Sequence, residues 1–103
     1  MKIIIVGGGQ VGGYIAGLLL ENGHNVVVIE NKERALQTMR RNGIGEASIL
    51  VGDGTDALLL EKAGIMSCNA LVCATGTDEV NLTAAMMAKF EYDVPKVVAR
   101  VNN

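Results

Sequence analysis

The chain has 103 residues, which is one domain at most, and half of them are apolar with only two Tyr, one Phe and no Trp. Its core must therefore be aliphatic. A formal net charge of −2, no basic stripe and scattered aromatics argue against nucleic-acid binding, and one His with two Cys at no metal-ligand spacing argues against a metal centre.

The first element is a β-branched run, Ile3-Ile4-Ile5-Val6, which reads as a buried strand. Gly7-Gly8-Gly9-Gln10-Val11-Gly12 follows, then a segment with apolar residues at helical spacing: Val11, Ile15, Leu18 and Leu19. Residues 3–20 carry no charge, but six glycines, Gln10 and the β-branched start argue against a signal peptide or membrane span. With no export signal, a cytoplasmic location is expected, and Cys68 and Cys73 fit a reducing compartment. A second β-branched run, Val26-Val27-Val28-Ile29, ends at Glu30, eighteen residues after Gly12.

Strand, glycine turn, helix, strand and acid in this order form a mononucleotide-binding βαβ unit. Gly7 permits the tight turn, Gly9 lets a pyrophosphate approach the backbone, and Gly12 allows the helix to pack closely on the sheet. The first helical N–H groups lack intrahelical partners, and the helix dipole adds positive charge there, so an anion is held without Lys or Arg. Glu30 can accept from both hydroxyls of a ribose and would repel a 2′-phosphate.

Beyond Glu30, Asn31-Lys32-Glu33-Arg34 opens a second helix carrying Ala35, Leu36 and Met39, with Asn31 as the expected N-cap and Asn42-Gly43 as its end. Residues 48–51 form a third strand that runs into the turn Gly52-Asp53-Gly54-Thr55. A third helix over Asp56–Ala63 is capped by Asp56 or Thr55 and stopped by Gly64. The fourth strand, Ala70–Ala74, leads into Thr75-Gly76-Thr77-Asp78-Glu79, where Asp78 reads as a helix cap. A helix over Glu79–Phe90 places Val80, Ala84, Met87 and Ala88 in the core. Pro95 closes the next turn, and Lys96–Val101 is the fifth strand.

This alternation predicts a doubly wound, Rossmann-like α/β domain over residues 1–103, with a parallel sheet of order 3-2-1-4-5. Ligands bind such sheets beyond the carboxyl ends of the strands, where the order reverses. That rule selects the glycine loop, Glu30 to Lys32, Gly52 to Thr55, and Thr75 to Asp78, with Arg100 near the end of strand 5. Asp53 has two readings, as an acceptor for adenine or ribose or as a residue shaping its own turn. Thr75 and Gly76 can line a pyrophosphate or ribose, or simply form a helix entry. Arg100 can meet a phosphate or an acid at the sheet rim. Lys32 can approach a terminal phosphate or remain solvated.

No catalytic set emerges. His24, the one histidine, falls at the opposite end of the sheet from the ligand. Tyr92 and Lys96 have the Tyr-x-x-x-Lys spacing of short-chain dehydrogenases, but Pro95 intervenes and Lys96 begins a strand. The sequence offers binding without chemistry. The alternative is the cofactor-binding half of an NAD-dependent oxidoreductase.

Lys2-Ile3-Ile4-Ile5-Val6-Gly7-x-Gly9-Gln10-Val11-Gly12, Gly52-Asp53-Gly54-Thr55, Ala63-Gly64-Ile65, Thr75-Gly76-Thr77-Asp78-Glu79-x-Asn81 and Ala99-Arg100-Val101-Asn102 resemble the amino-terminal nucleotide-binding domain of Trk/Ktr potassium-uptake regulators, also called the RCK or KTN domain. The resemblance implies a non-catalytic cytoplasmic regulator that binds NAD(H), or ATP and ADP. Its partner would be an integral-membrane potassium transporter or channel subunit, which would hold it at the inner face of the membrane. It further implies homo-oligomers in the full-length protein. Carried across, the glycine loop would hold phosphates, Glu30 the adenosine ribose, and Asp53 the adenine side. Thr75 and Gly76 would line the second half of the pocket, and Arg100 would reach phosphates or a neighbouring subunit. Two positions depart from the family pattern: Gly8 stands where Ala is common, and Glu30 where Asp is common. The family's domain also continues past strand 5, so the sequence reads as truncated there.

Overall fold

A computed structural model describes all of residues 1–103. In chain order the elements are β1 (Lys2–Val6), α1 (Gln10–Glu21), β2 (Asn25–Glu30), α2 (Glu33–Arg41), β3 (Ile49–Val51), α3 (Ala57–Ala63), β4 (Ala70–Cys73), α4 (Asp78–Met86) and β5 (Lys96–Ala99). Short 3₁₀ turns at Glu46–Ser48 and Ile65–Ser67 lead towards β3 and β4. The five strands form one parallel sheet in the expected order, β3-β2-β1-β4-β5.

β1 lies at the centre and is buried on both faces, as parallel strands covered by crossover helices must be. Ile3 and Ile5 point into one core with Val26, Val28, Ala16, Leu36 and Met39, under α1 and α2. Ile4 and Val6 point into the other with Ile29, Leu60, Leu71, Ala84 and Ala88, under α3 and α4. Each such fully buried isoleucine stabilises the fold by roughly 2 kcal/mol. No helix is long and apolar enough to cross a membrane.

Several local expectations are corrected. The buried face of α1 carries Gly12 and Ala16, with Ile15, Leu19 and Leu20 partly buried, while Val11 and Leu18 are exposed. The two smallest residues on the inner face bring the helix axis close to the sheet. That rotates the larger side chains at positions 11 and 18 outward. α4 is shorter than its apolar pattern, because its last turn widens into a π turn over Met87–Glu91. There the Tyr92 N–H reaches back five residues to the Met87 carbonyl at 3.2 Å. β5 ends at Ala99, so Arg100 and Val101 lie just beyond the strand. The stops at Gly43 (φ 90°) and Gly64 (φ 95°) are as expected, each supplying the left-handed backbone that ends a helix.

Candidate functional site

A crevice of about 300 Å³ opens at the carboxyl ends of the strands, where the order reverses between β1 and β4. Of the residues singled out in the sequence, Gly7, Gly9, Gln10, Glu30, Asn31, Lys32, Asp53, Thr75, Gly76 and Arg100 line it. Gly8, Val11, Gly12 and Thr55 do not.

The glycines have separable roles. Gly7 has φ 105°, and a Cβ there would sit 2.8 Å from the Thr75 amide nitrogen. It is what allows the loops after β1 and β4 to touch. Gly12 lies beneath the loop, where a Cβ would overlap the Gly7 carbonyl. Gly8 faces the other way, against Met39 of α2. At Gly9, the N-cap of α1, a Cβ would meet nothing within 4 Å. The open space lies where the helix's unpartnered N–H groups converge, and the first turn of α1 has no acidic residue. A diffuse positive potential therefore faces a cavity with room for an anion.

Glu30 does more than its position suggested. It is only 9 % exposed. One carboxylate oxygen accepts from the Gly8 N–H at 2.7 Å, and the other from the Asn31 and Lys32 N–H groups, both at 2.9 Å. The carboxylate thus ties the glycine loop to the entry of α2. An ionised carboxylate has about four acceptor positions, so roughly one, on Oε1, stays unoccupied. The expected Asn31 cap is not formed. The residue flanking α2 is Lys32, with no side-chain cap, and the carboxylate of Glu30 holds the Asn31 and Lys32 N–H groups just ahead of the helix.

Across the crevice, Asp53 accepts from both the N–H and the hydroxyl of Thr55 at 2.8 Å, so one of its oxygens shapes the turn and Thr55 is held away from the opening. Asp56, by contrast, caps α3 through the Leu58 N–H. Lys32 and Arg100 are exposed and form no ion pair; the surface pair Arg40–Glu46 lies elsewhere.

Asp78 is not a cap. It is the first residue of α4, after Thr77, and its carboxylate accepts from the Asn102 N–H at 2.8 Å, the Asn102 side-chain amide at 2.9 Å and the Asn103 N–H at 3.2 Å. The Asn102 backbone N–H, followed by its side-chain amide, holds the Asp78 carboxyl below its ordinary range.

Asn81 was not among the residues singled out for the site. It is 1 % exposed and binds the Thr75 backbone and hydroxyl together with the Arg100 carbonyl. Its signals in the sequence are its place at the end of the Thr75-to-Asn81 motif and its polarity on the stripe that includes Ala84 and Ala88.

No catalytic pair faces the crevice. The ring of His24 meets the amino terminus at 3.2 Å, and the Tyr92 hydroxyl donates to Glu61 at 2.8 Å before β5 begins, at the far end of the sheet. Cys68 and Cys73 are buried thiols, and burial pushes Cys73 up to about 12, leaving it unreactive.

Residues 3–103 match the family model of the TrkA-N domain. The chain belongs to that family. It is 44% identical over 105 residues to a Trk system potassium uptake protein TrkA homolog of Methanothermobacter thermautotrophicus, and 39% identical over 103 residues to TrkA of Mycobacterium tuberculosis. Each alignment covers 100% of this chain and 46% of the relative, so the chain spans about half the length of the curated relatives it matches. Among solved structures, the Kef carboxy-terminal domain of Shewanella denitrificans in its AMP-bound form aligns with a TM-score of 0.83 and 25% identity, over 100% of this chain and 60% of that one. The GsuK RCK domain aligns with a TM-score of 0.78 and 22% identity, over 97% of this chain and 20% of that one. The TrkA-N domain here is thus a Rossmann-like fold of the RCK type.

Proposed function

We propose that this TrkA-N domain is a cytoplasmic, non-catalytic nucleotide sensor that regulates potassium transport through an integral-membrane partner, as part of a homo-oligomeric regulator. The observation carrying this reading is the switch-point crevice. It joins an open α1 N-terminus at Gly9 to an acid at the end of β2, with no acid–base pair facing the space between them. The names of its relatives support the transport role, and the AMP-bound Kef neighbour supports an adenine nucleotide.

NAD(H) is the first choice of ligand and ATP or ADP the second. Phosphates would sit over Gly9 and the first turn of α1, with Lys32 and Arg100 adding positive charge from the rim. Ribose would take the remaining acceptor of Glu30. The Asp53 oxygen that Thr55 leaves free would serve the adenine side. Regulation then requires only that the assembled protein's states differ in affinity for the nucleotide.

Calorimetric titration with NADH, NAD, NADPH, ATP, ADP and AMP tests the reading. Submillimolar binding of at least one is expected, weakened about tenfold by Gly9→Ala. Because that Cβ enters open space, the melting temperature should stay within a few degrees. No binding below millimolar concentration overturns the proposal. Tight NADPH binding removes Glu30 from ribose recognition, and steady hydride transfer to a small substrate would favour an oxidoreductase.

A further inference from the structure

Asn81 uses its whole amide. Its Oδ1 accepts from the Thr75 N–H at 3.0 Å and the Thr75 hydroxyl at 2.7 Å, and its Nδ2 donates to the Thr75 and Arg100 carbonyls, each at 3.0 Å. Both amide donors and both acceptor positions are engaged. The partners also fix the amide's orientation, since a flip would set its NH₂ against the Thr75 N–H and its oxygen against two carbonyls.

Thr75 and Arg100 both line the crevice, and Arg100 is the first residue beyond β5. The next residues are fastened to the same place. The Asn102 side chain donates to the Thr75 carbonyl at 3.1 Å and to Asp78, and the Asn102 and Asn103 N–H groups also end on Asp78. Three separate straps thus join the β4 loop, the start of α4 and the chain leaving β5. Only one member, Asn81, is buried.

We propose that this network couples occupancy of the crevice to the path of the chain beyond β5, with Asn81 as the positioning residue at its centre. The proposal rests on the nucleotide reading above. A ligand that fixes Thr75, Gly76 or Arg100 fixes the Thr75 carbonyl, onto which both Asn81 and Asn102 converge. It thereby holds the exit of β5 in one direction. Linkage makes the effect reciprocal: whatever fixes the exit raises nucleotide affinity by the same factor.

Amide hydrogen exchange of residues 1–103, with and without saturating NADH and in parallel ATP, tests the coupling. In the wild type, nucleotide should slow exchange at the glycine loop and, at least fivefold, at Asn102 and Asn103. Asn81→Asp keeps the shape and the acceptors but loses both donors. The glycine-loop response should survive, and the response at 102–103 should fall below twofold. Should that variant fail to fold, deletion of Asn102–Asn103 serves instead, because it leaves Asn81 in place. Reciprocity then requires at least a fivefold loss of nucleotide affinity. Full tail protection in Asn81→Asp, or unchanged affinity after the deletion, overturns the coupling alone. So does a protected glycine loop with an unprotected tail in the wild type. No response at the glycine loop to either nucleotide overturns the sensor reading and the coupling together.

Discussion

On the β1 side of the crevice, the backbone comes close because side chains are missing: Gly7 admits the Thr75 amide, and Gly12 admits the Gly7 carbonyl. On the β4 side, the loop is held by side chains that are present, with Asn81, Asp78 and Asn102 bonding to Thr75, Arg100 and one another. The first wall is shaped by steric room and cannot change without overlap. The second is shaped by exchangeable hydrogen bonds and can take a second arrangement if each donor finds another acceptor. On the proposed reading as a nucleotide sensor, one wall would receive the ligand and the other would report it.

Substitutions should separate the two. The largest effect is expected from Gly12→Ala, whose methyl overlaps the Gly7 carbonyl. A loss of about 3 kcal/mol or more follows from overpacking, seen as a melting-temperature fall of ~10 °C or more. A change of under about 1 kcal/mol would mean that α1 can slide, and the rigid-wall description would fail. Next comes Asn81→Leu, which strands the Thr75 N–H and the Arg100 carbonyl. Leaving two such groups unpaired costs about 2–3 kcal/mol in denaturant titration. Little loss would show that the wall had found its second arrangement.

The smallest effect concerns pH at Asp78. Its carboxyl is held below the ordinary range chiefly by the Asn102 N–H, so the unfolded chain binds that proton more readily than the folded one. The contribution is therefore complete above pH ~4 and disappears as pH falls through the ordinary value towards the lowered one. Protection of the Asn102 and Asn103 amides, taken relative to their intrinsic exchange rates, should fall over that window in the wild type. In Asp78→Asn it should lack this titration. Equal pH dependence in both would remove Asp78 as the anchor.

Residues of both walls were legible in the sequence, but the bonds that hold the second were not, for a physical reason. Glycine spacing after a β-branched strand is a local pattern, and so is an acid ending the next strand. Strand order follows from such patterns because crossovers have one hand. Asn81 bonds both to Thr75, six residues back, and to Arg100, nineteen residues on, and the second partner comes only through the fold. Glu30 ends β2 as expected, but its hold on the Gly8 N–H comes through space. Apolar residues at helical spacing do not by themselves mark the buried face of α1: Val11 and Leu18 face solvent, while Ala16 lies inside beside Gly12, the expected contact with the sheet.

The placement of β1 has a consequence for how the molecule comes into being. Its Ile3 pairs with Val26 on one side, but its partner on the other side is Ala70. As the chain leaves the ribosome, β1, β2 and β3 can assemble while the second edge of β1 still waits for β4. Such non-local parallel pairing is slow, and it leaves an apolar strand edge open to other chains in the meantime. The crevice exists only once β4 has docked, so a late step of sheet assembly also creates the proposed site. A small molecule spanning both loops would grip a junction formed late, and would lengthen the life of the folded state more than it hastened its birth.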